Sequence, residues 1–555
     1  MSETTLSNIA AHLPRMAQLR PHAQAVVFPT GRDAQRRVCY SHYTFAQLDA
    51  ASDIIAAGLL ASDIQPGERA VLMVTPSLEF FALTFALFKA GVVPVMIDPG
   101  MGVKNLKVCI SEAEPQIFIG IPKAHIARIL LGWGKKSLRT QIAVGKRRGW
   151  GGITLDDLRR KGESAPAFRM AETDAESTAA ILFTSGSTGV PKGVVYSHGN
   201  FARQVAALKE IYGITPGEID LPTFPLFALF APALGMTAII PDMDFTRPAE
   251  VDPEKIAEAI ENFGITNMFG SPALINRVGR WGVEQKRSFP SLRRVISAGA
   301  PVPAATLERF ASLLAPEAEI FTPYGATESL PVCSIGHHEI LGETRARTDA
   351  GHGVCVGRPV PELTIKIIPI RDEAIPFWSD DLSLPPDTIG EIAVRGAQVT
   401  RRYYNRADST DLAKILDPAN ATFYHRMGDL GYRDEAGRIW FCGRKAHRVE
   451  CDDKTLLTIP TEAIFNTHPE VFRSALVGVG TKGKQRPAIC IELEKGIEKK
   501  EQNRIRTELL QIASQNGLNF AAGQILFHPA FPVDIRHNAK IFREKLARWA
   551  KGKVR

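Results

Sequence analysis

The chain has 555 residues, 45% of them hydrophobic, and a formal net charge of +8. That length predicts more than one domain, each with a sizeable buried core. The seven cysteines are odd in number and form no CxxC pair, which argues against a disulfide framework or a zinc site and favours a reducing cytoplasm. The N-terminus also lacks the basic and apolar regions of a signal peptide.

Part of the positive charge is concentrated between residues 128 and 148, where seven Lys or Arg residues occur without an acidic one. Such a run is either a solvated face or a surface for an acidic partner, a membrane or nucleic acid. No nucleic-acid-binding motif accompanies the run, so nucleic acid is the least favoured of these partners.

Strand–turn–helix patterns recur along the chain. Examples are the predicted strand at 70–74 before a helix at 77–89, and the strand at 265–269 before a helix at 272–281. This alternation predicts α/β layers, in which ligands bind in the loops at the carboxyl ends of strands.

Two apolar stretches, 70–98 and 221–240, could be mistaken for transmembrane segments. The first is interrupted by charged residues and a proline, and the second contains several prolines. Because a bilayer helix needs about 20 apolar residues with few breaks, we expect buried strands and helices at both places and no transmembrane segment.

The segment 181–198 holds the most informative pattern. A short apolar strand ends at Phe183, and the loop Thr-Ser-Gly-Ser-Thr-Gly at 184–189 and then Lys192 follow it. Glycines let backbone N–H groups approach phosphate oxygens, hydroxyls donate hydrogen bonds, and a lysine supplies positive charge. The loop is not a Walker motif, because Val-Pro follows Gly189. We therefore predict a polyphosphate-binding loop.

This segment resembles the phosphate loop of the adenylate-forming superfamily, which includes acyl-CoA synthetases, luciferases and peptide-synthetase adenylation domains. These enzymes join a carboxylate to AMP and release pyrophosphate, so the resemblance implies ATP and Mg²⁺ as cofactors. The residues that it assigns to the β- and γ-phosphates are Thr184, Ser185, Gly186, Ser187, Thr188 and Lys192.

Four further motifs match the superfamily in order: Ser-Ala-Gly-Ala-Pro at 297–301, Tyr-Gly-Ala-Thr-Glu-Ser at 324–329, Gly-Asp at 428–429 with Arg444, and the lysine loop at 532–541. By resemblance, the first forms the adenine-binding turn, an aromatic ring in the second stacks on the purine, and a threonine there binds the α-phosphate. An aspartate in the third accepts hydrogen bonds from the ribose, and an arginine gives a second ribose or phosphate contact. The implied nucleotide contacts are Gly299, Ala300, Pro301, Tyr324, Gly325, Thr327, Asp429 and Arg444.

The resemblance also assigns the chemistry. Glu328 and Thr184 would be the Mg²⁺ ligands and catalytic residues, since a carboxylate is a hard oxygen ligand of the kind that this ion prefers. Lys540 would be the catalytic lysine, because a cation aimed at the developing negative charge lowers the barrier to adenylation.

The fold implied by the resemblance is α/β with two domains. A large N-terminal domain, residues 1–443, contains two α/β layered sheets and a small β subdomain, and binds acyl group and ATP. A small mobile α+β C-terminal domain, residues 444–555, carries the catalytic lysine and rotates between two half-reactions, which excludes water and exchanges catalytic groups.

The sequence departs from the superfamily in the acyl-binding region. The usual Pro-Leu-Phe-His segment ends in Ala228, and the surroundings are strongly apolar. No aspartate stands ready to bind an amino group, which argues against an amino-acid substrate, whereas an apolar lining suits a long acyl chain. The candidate substrate-binding residues are Phe224, Phe227, Phe230 and Leu234, although such a cluster is equally typical of an ordinary core.

Further departures lie in the C-terminal region: Ala446 after the hinge arginine and Arg-His-Asn-Ala-Lys at 536–540. They resemble the bacterial olefin β-lactone synthetases of long-chain hydrocarbon biosynthesis. That resemblance implies adenylation of a long-chain 2-alkyl-3-hydroxyalkanoic acid, whose own 3-hydroxyl then displaces AMP and closes a β-lactone. The implied partners are the other olefin-pathway enzymes, a reductase and a β-lactone decarboxylase.

Two other functions remain open: a long-chain fatty acyl-CoA synthetase, and a nucleotide-binding scaffold without turnover. The retained residues of the adenylation motifs argue against the scaffold. The base that accepts the proton of the 3-hydroxyl is not evident, since His198 and His537 are each also consistent with a structural histidine.

Overall fold

The computed structural model describes residues 8–146, 149, 152–184, 190–534 and 540–554. Three large sheets precede residue 445, and two smaller ones follow it. The α-helices are His12–Leu19, Phe45–Leu60, Leu78–Lys89, Val103–Ala113, Pro122–Leu131, Leu155–Glu163, His198–Tyr212, Pro225–Ala228, Phe230–Leu234, Pro253–Phe263, Pro272–Glu284, Ala304–Ala311, His337–Glu339, Arg345–Asp349, Ala407–Ala413, Thr458–Phe465, Gln502–Gln515 and Arg543–Ala550.

The first sheet carries the predicted phosphate loop. In spatial order its strands are Ile153–Thr154, Thr140–Ala143, Ile117–Gly120, Arg69–Met73, Val93–Met96, Thr178–Phe183 and Gly193–Ser197. All neighbours are parallel except the last pair, which is antiparallel. Helix Leu78–Lys89 packs in the core on one face, and helices Val103–Ala113 and Pro122–Leu131 pack in a separate core on the other.

A second seven-stranded sheet has a similar layered construction. Its strands, in spatial order, are Glu319–Phe321, Arg294–Ile296, Asn267–Phe269, Ile219–Pro222, Thr237–Ile239, Gln24–Arg32 and Val38–Thr44. Again only the last pair is antiparallel. The α/β layers predicted from the strand–turn–helix patterns are confirmed.

The third sheet is antiparallel throughout. Its strands, in spatial order, are Tyr324–Ala326, Ser329–Ser334, Val354–Pro359, Ile439–Arg444, Thr422–Arg433, Gly390–Arg395 and Thr364–Ile368, with Lys414–Asp417 also paired to Thr422–Arg433. The 324–329 motif lies at one end of this series, and Asp429 and Arg444 lie on two adjacent inner strands. The sheet therefore brings together residues more than one hundred positions apart, such as Tyr324 and Asp429.

The residues after 444 form α+β structure. Strand Val449–Glu450 pairs with Thr455–Leu456, and a three-stranded sheet contains Val471–Val479, Arg486–Leu493 and Ile525–Phe527. Two cores of their own lie on the faces of that sheet, one against helix Gln502–Gln515 and one against helix Arg543–Ala550.

The two interrupted apolar stretches fold as expected. The first becomes strand Arg69–Met73, helix Leu78–Lys89 and strand Val93–Met96, and the Ser77 hydroxyl caps the helix by accepting the N–H of Phe80. The second contains the short helices Pro225–Ala228 and Phe230–Leu234. Within the described ranges, none of the helices combines the length and apolar character needed to cross a bilayer. All seven cysteines are free.

Candidate active site

The predicted phosphate loop begins at the end of the first strand of an antiparallel pair, Thr178–Phe183 with Gly193–Ser197, which we name the phosphate hairpin. Strands Thr178–Phe183 and Gly193–Ser197 pair up to Phe183 opposite Gly193. The N–H of Thr184 then donates to the carbonyl oxygen of Lys192 at 3.0 Å, so these two residues stand side by side at the mouth of the loop. The predicted phosphate contacts of Ser185, Gly186, Ser187 and Thr188 lie outside the described residues.

A segment that the sequence motifs did not identify, residues 400–404, links this hairpin to the second motif, and we name it the strap. On one side, the N–H of Val195 donates to Arg402 O at 3.1 Å, and Tyr404 N–H donates to Gly193 O at 2.7 Å. On the other side, the backbone N–H of Thr400 donates to the carbonyl of Glu328 at 2.9 Å. The strap therefore positions the phosphate hairpin against the predicted magnesium ligand.

Tyr403 of the strap contacts both groups through its side chain. Its hydroxyl donates to Glu328 Oε1 at 2.7 Å, and Lys192 Nζ lies 4.9 Å from the centre of its ring. Burial and the neighbouring Glu328 raise the pKa of Tyr403, so the phenol stays protonated and remains a donor. In the described part of the chain no hydrogen bond reaches Glu328 Oε2, which leaves an oxygen available as a ligand.

A buried lysine forms a hydrogen bond to the backbone of the strap. Lys414 is 7% exposed and donates to the carbonyl oxygen of Thr400. Burial lowers the pKa of Lys414 to about 7, despite the opposing effect of Glu328. Neither Tyr403 nor Lys414 belongs to a motif that points to its role, and only strand pairing reveals their proximity to Glu328.

Asp429, Tyr324 and Arg444 converge on one point of the third sheet. Asp429 is 3% exposed, and its Oδ2 accepts a hydrogen bond from the hydroxyl of Tyr324 at 2.6 Å. Arg444 Nη1 lies 3.1 Å from Oδ1 as an ion pair and donates a hydrogen bond to Met427 O, and Oδ1 has no hydrogen bond within the described residues. Burial raises the pKa of Asp429, and Arg444 opposes that shift.

Gly325 and Thr327 follow Tyr324 in the same motif. A Cβ on Gly325 would lie 2.8 Å from Ser329 O, so the turn after Tyr324 needs glycine. Thr327 accepts a hydrogen bond at its carbonyl from the buried Tyr196 hydroxyl.

The predicted adenine turn, residues 297–301, follows the end of strand Arg294–Ile296. Gly299 has a φ of +100°, a conformation that side-chain-bearing residues rarely adopt, and Ala300 and Pro301 continue the turn towards helix Ala304–Ala311. Ser297 is 1% exposed, and its hydroxyl has no hydrogen-bond partner among the described residues. A buried donor of this kind is costly unless a ligand satisfies it.

The four candidate acyl-binding residues fall into three environments. The rings of Phe224 and Phe227 are 5.0 Å apart, and Phe227 lies 4.6 Å from Phe269. Phe230 instead packs 6.2 Å from Phe201. Leu234, which is 2% exposed, belongs to the main core.

Lys540 follows residues 535–539, which lie outside the described residues and include His537. The carbonyl of Lys540 accepts the N–H of Asp534 at 2.9 Å, and the next residue, Ile541, forms a β-bridge with Val533.

His198 is 2% exposed, and its Nδ1 accepts the N–H of Ile9. Burial lowers the pKa of His198 to about 4. This residue is a satisfied structural histidine.

Three cations after Arg444 contact the third sheet and the loop beside it. Lys445 Nζ lies 3.0 Å from Glu391 Oε2. Asp372 Oδ2 lies 3.0 Å from Arg448 and 2.6 Å from Lys482, and these hydrogen bonds lower the pKa of Asp372 to about 2. The junction beyond residue 444 is thus held by ion pairs.

Comparisons with known proteins agree with this geometry. The family model described as AMP-binding enzyme matches residues 13–404. A protein of Xanthomonas campestris pv. campestris named olefin beta-lactone synthetase is 50% identical over 551 residues, covering 99% of this chain and 98% of that protein. Another of that name from Stenotrophomonas maltophilia is 49% identical over 554 residues, with coverages of 99% and 98%.

The fold has solved counterparts. The amide bond synthetase McbA from Marinactinospora thermotolerans superposes with a TM-score of 0.78, covering 98% of this chain and 99% of its own, at 20% sequence identity. At that identity the likeness describes the fold alone.

Proposed function

The chain belongs to the AMP-binding enzyme family, and we propose that it converts a long-chain 2-alkyl-3-hydroxyalkanoic acid into a β-lactone through an acyl-adenylate. The observation that carries this proposal is the 50% identity, over nearly the full length of both chains, to an olefin beta-lactone synthetase. The geometry supports it, because Tyr324, Asp429 and Arg444, which come from separate motifs, are in contact.

In the first half-reaction, a carboxylate oxygen of the substrate attacks the α-phosphorus of ATP, and the bond to pyrophosphate breaks. We propose that Asp429 accepts hydrogen bonds from the ribose, because its Oδ1 is buried and still lacks a hydrogen bond within the described residues. The ring of Tyr324 would stack on adenine, with Gly299, Ala300 and Pro301 forming the opposite turn. Arg444 would hold the ribose or a phosphate.

The oxygen donors near the phosphate hairpin fit a magnesium ion. Glu328 Oε2 carries no hydrogen bond within the described residues, and Thr184 offers a hydroxyl, so both donors are of the hard oxygen type that Mg²⁺ prefers. We propose that these two residues hold Mg²⁺, which when bound neutralises phosphate charge. Tyr403 keeps the other oxygen of Glu328 in place, and Lys192 adds charge beside the loop.

In the second half-reaction, the substrate's 3-hydroxyl oxygen attacks the adenylate carbonyl carbon, its proton passes to a base, and the acyl–phosphate bond breaks to release AMP. The nucleophile is already attached, so orientation replaces the binding of a second substrate. The two alkyl branches need an apolar environment, for which the Phe224–Phe227–Phe269 cluster and Phe230 are the proposed lining. Leu234 would contribute from the core behind them.

The N-terminal domain would end at residue 443, and residues 444–555 would rotate as a lid that brings Lys540 to the α-phosphate. The polar character of the junction supports this proposal, since inter-domain contacts of this kind usually permit motion.

The free state of all seven cysteines is consistent with a reducing cytoplasm. A reductase that forms the hydroxy acid and a β-lactone decarboxylase are the proposed partners.

The deciding experiment is incubation of the purified protein with ATP, Mg²⁺ and a long-chain 2-alkyl-3-hydroxy acid, with and without CoA. We expect AMP and a product lighter by one water in both cases, detected by mass spectrometry. A product formed only with CoA, and carrying a thioester, would refute lactone synthesis and identify a long-chain acyl-CoA synthetase. Binding of ATP without any AMP formation would point to a scaffold.

The proposed role of Lys540 predicts that Lys540→Ala slows acyl-adenylate formation by about 10²- to 10³-fold, the usual cost of losing one electrostatic donor to the transition state. Pyrophosphate release in a single turnover measures this step. Lys545→Ala is the matched control, since Lys545 is exposed on the following helix. Equal pyrophosphate release by the two variants would contradict the assignment.

A further inference from the structure

Helix Pro122–Leu131 presents an unusual outer surface. Ile126, Ile129 and Leu130 are 46%, 49% and 78% exposed. These positions recur at helical spacing, and the opposite stripe, with Ala124, Ala127 and Leu131, packs against the core of the first sheet. The helix is therefore apolar on both sides, and its outer side has no partner among the described residues.

Exposed lysines flank this apolar stripe. Lys123 precedes it by one turn, and Lys135 and Lys136 follow it. Within the described residues none of the three forms an ion pair. Between residues 115 and 155 the chain contains eight Lys or Arg residues and no Asp or Glu, so this stretch supplies no acidic residue of its own, and the ion pair of Arg139 is with Glu68. We name Lys123, Ile126, Ile129, Leu130, Lys135 and Lys136 the basic–apolar face.

The neighbouring helix extends the same character. Helix Val103–Ala113 packs on the same core, and its Val103 and Val108 are 53% and 36% exposed. Lys104 and Lys107 on that helix are also exposed. Both helices that pack on this core thus expose aliphatic side chains and lysines.

We propose that the basic–apolar face docks the enzyme on the surface of a bilayer containing anionic phospholipids. Aliphatic side chains would enter the boundary between headgroups and acyl chains, while the lysines meet lipid phosphates. An acidic protein fits less well, because protein interfaces are depleted in lysine and enriched in aromatic residues, and the six residues of this face include three lysines and no aromatic ring. Contiguous exposed apolar surface next to unpaired charge marks an interaction site of this type.

The test is co-sedimentation of the full-length protein with vesicles of phosphatidylcholine, or of phosphatidylcholine with 30% phosphatidylglycerol, at low and high salt. We expect binding to the anionic vesicles only, and at least tenfold weaker binding in about 0.5 M NaCl, because salt screens exposed charges. Binding is measured without substrate, so the result does not depend on the proposed reaction.

Two variants test the lysines and the aliphatic side chains of the basic–apolar face separately. Lys135→Ala with Lys136→Ala should weaken binding by about 25-fold, since each lysine near an anionic surface contributes about fivefold. Leu130→Ser should weaken it by about tenfold through the lost burial of one leucine. The matched controls are Lys499→Ala with Lys500→Ala, a lysine pair after residue 444, and Leu19→Ser, since Leu19 is 65% exposed at the end of a helix.

All variants should retain the melting temperature and the AMP-forming activity of the unaltered protein in detergent, because none of the substituted side chains is buried. Equal binding to neutral and anionic vesicles would overturn the proposal, as would face variants that bind like their controls. Salt-sensitive binding to poly-glutamate, without binding to anionic vesicles, would overturn it in favour of an acidic protein partner.

Discussion

Two buried carboxylates lie on neighbouring strands of the third sheet and are treated differently by the protein. Glu391 is 1% exposed, and its Oε2 accepts hydrogen bonds from Arg426 Nε at 3.1 Å, Arg426 Nη2 at 2.6 Å and Lys445 Nζ at 3.0 Å. Asp429 is adjacent to Leu430, the register partner of Glu391. It has one hydrogen bond, from Tyr324, and one ion pair, between Arg444 and its Oδ1, and this oxygen has no hydrogen bond among the described residues.

The difference distinguishes a structural carboxylate from a binding one. Removing a carboxylate from water costs free energy unless donors replace the lost hydration. At Glu391 two cations belonging to the protein supply three donors, all of them to Oε2. At Asp429 the protein supplies one hydrogen bond and one cation, and a ribose with two hydroxyls can add the hydrogen bonds that its Oδ1 lacks among the described residues. Incomplete compensation is therefore a sign of the ligand site.

The largest effect is expected from Glu391→Gln. The substitution keeps the shape but leaves the buried Arg426 without its opposing charge, which should destabilise the fold by about 3–5 kcal/mol. The shift of the denaturant unfolding midpoint measures it, and saturable ATP binding should remain in the folded fraction. Glu343→Gln is the control, because Glu343 is 65% exposed in its pair with Arg438 and such pairs contribute at most about 1 kcal/mol.

If Glu391→Gln unfolded at the same midpoint as the control, the carboxylate paired with two cations would not be structural, and the contrast with Asp429 would lose its meaning. An unfolding midpoint close to that of the unaltered protein is therefore the result that refutes this half of the comparison.

Asp429→Asn should affect ATP binding more than the stability of the fold. Its charge-assisted hydrogen bonds to ribose would each contribute about 1.5–3 kcal/mol, so we expect ATP affinity to fall roughly 10- to 100-fold. The loss of stability should be smaller than for Glu391→Gln, because Arg444, the partner of Asp429, is 37% exposed and can be solvated. Calorimetric titration with ATP measures the affinity. Asp417→Asn is the matched control, since Asp417 is 3% exposed on the same sheet and pairs with Arg395 at 3.0 Å, away from the proposed nucleotide site.

Lowering the pH is a second test of the role of Asp429. Because burial raises the pKa of Asp429, its charge is lost as the pH falls through that raised value, and ATP affinity should fall with it. Asp429→Asn has no charge to lose at this position and should show a flatter pH profile. Identical profiles for the variant and the unaltered protein would remove Asp429 from the binding site.

The sequence predicts Asp429 but not its contrast with Glu391. Motifs at 184–192, 324–329 and 428–429 are local patterns whose composition indicates phosphate and ribose chemistry. Similarly, the strand before Ser77 and the helix after it follow from local periodicity and a capping residue, and both are confirmed within about one residue.

Other features depend on pairing between distant strands. Tyr403 is 75 residues from Glu328 in the chain, and Lys414 supports the strap only because of how residues 400–417 fold back on the sheet. Nothing in the composition around either residue indicates contact with the magnesium ligand. Likewise, the burial of Leu234 in the main core is set by packing, which an apolar pattern alone does not resolve.

The smallest effect should come from Tyr324→Phe, which tests whether the tyrosine acts through the carboxylate. The variant keeps the ring for stacking and removes one hydroxyl, so Asp429 loses its fixed orientation but not its charge. The hydroxyl affects the nucleotide only by orienting Asp429, so the effect should be smaller than that of Asp429→Asn, and we expect the KM for ATP to rise by less than about 10-fold, with kcat nearly unchanged. Tyr432→Phe is the control, since the Tyr432 hydroxyl donates to His352 O at 3.0 Å on the same sheet.

In the double variant Tyr324→Phe with Asp429→Asn, the tyrosine substitution should add little, because its partner's charge is already gone. Full additivity of the two effects would mean that Tyr324 binds the nucleotide independently and is not a positioning residue for Asp429.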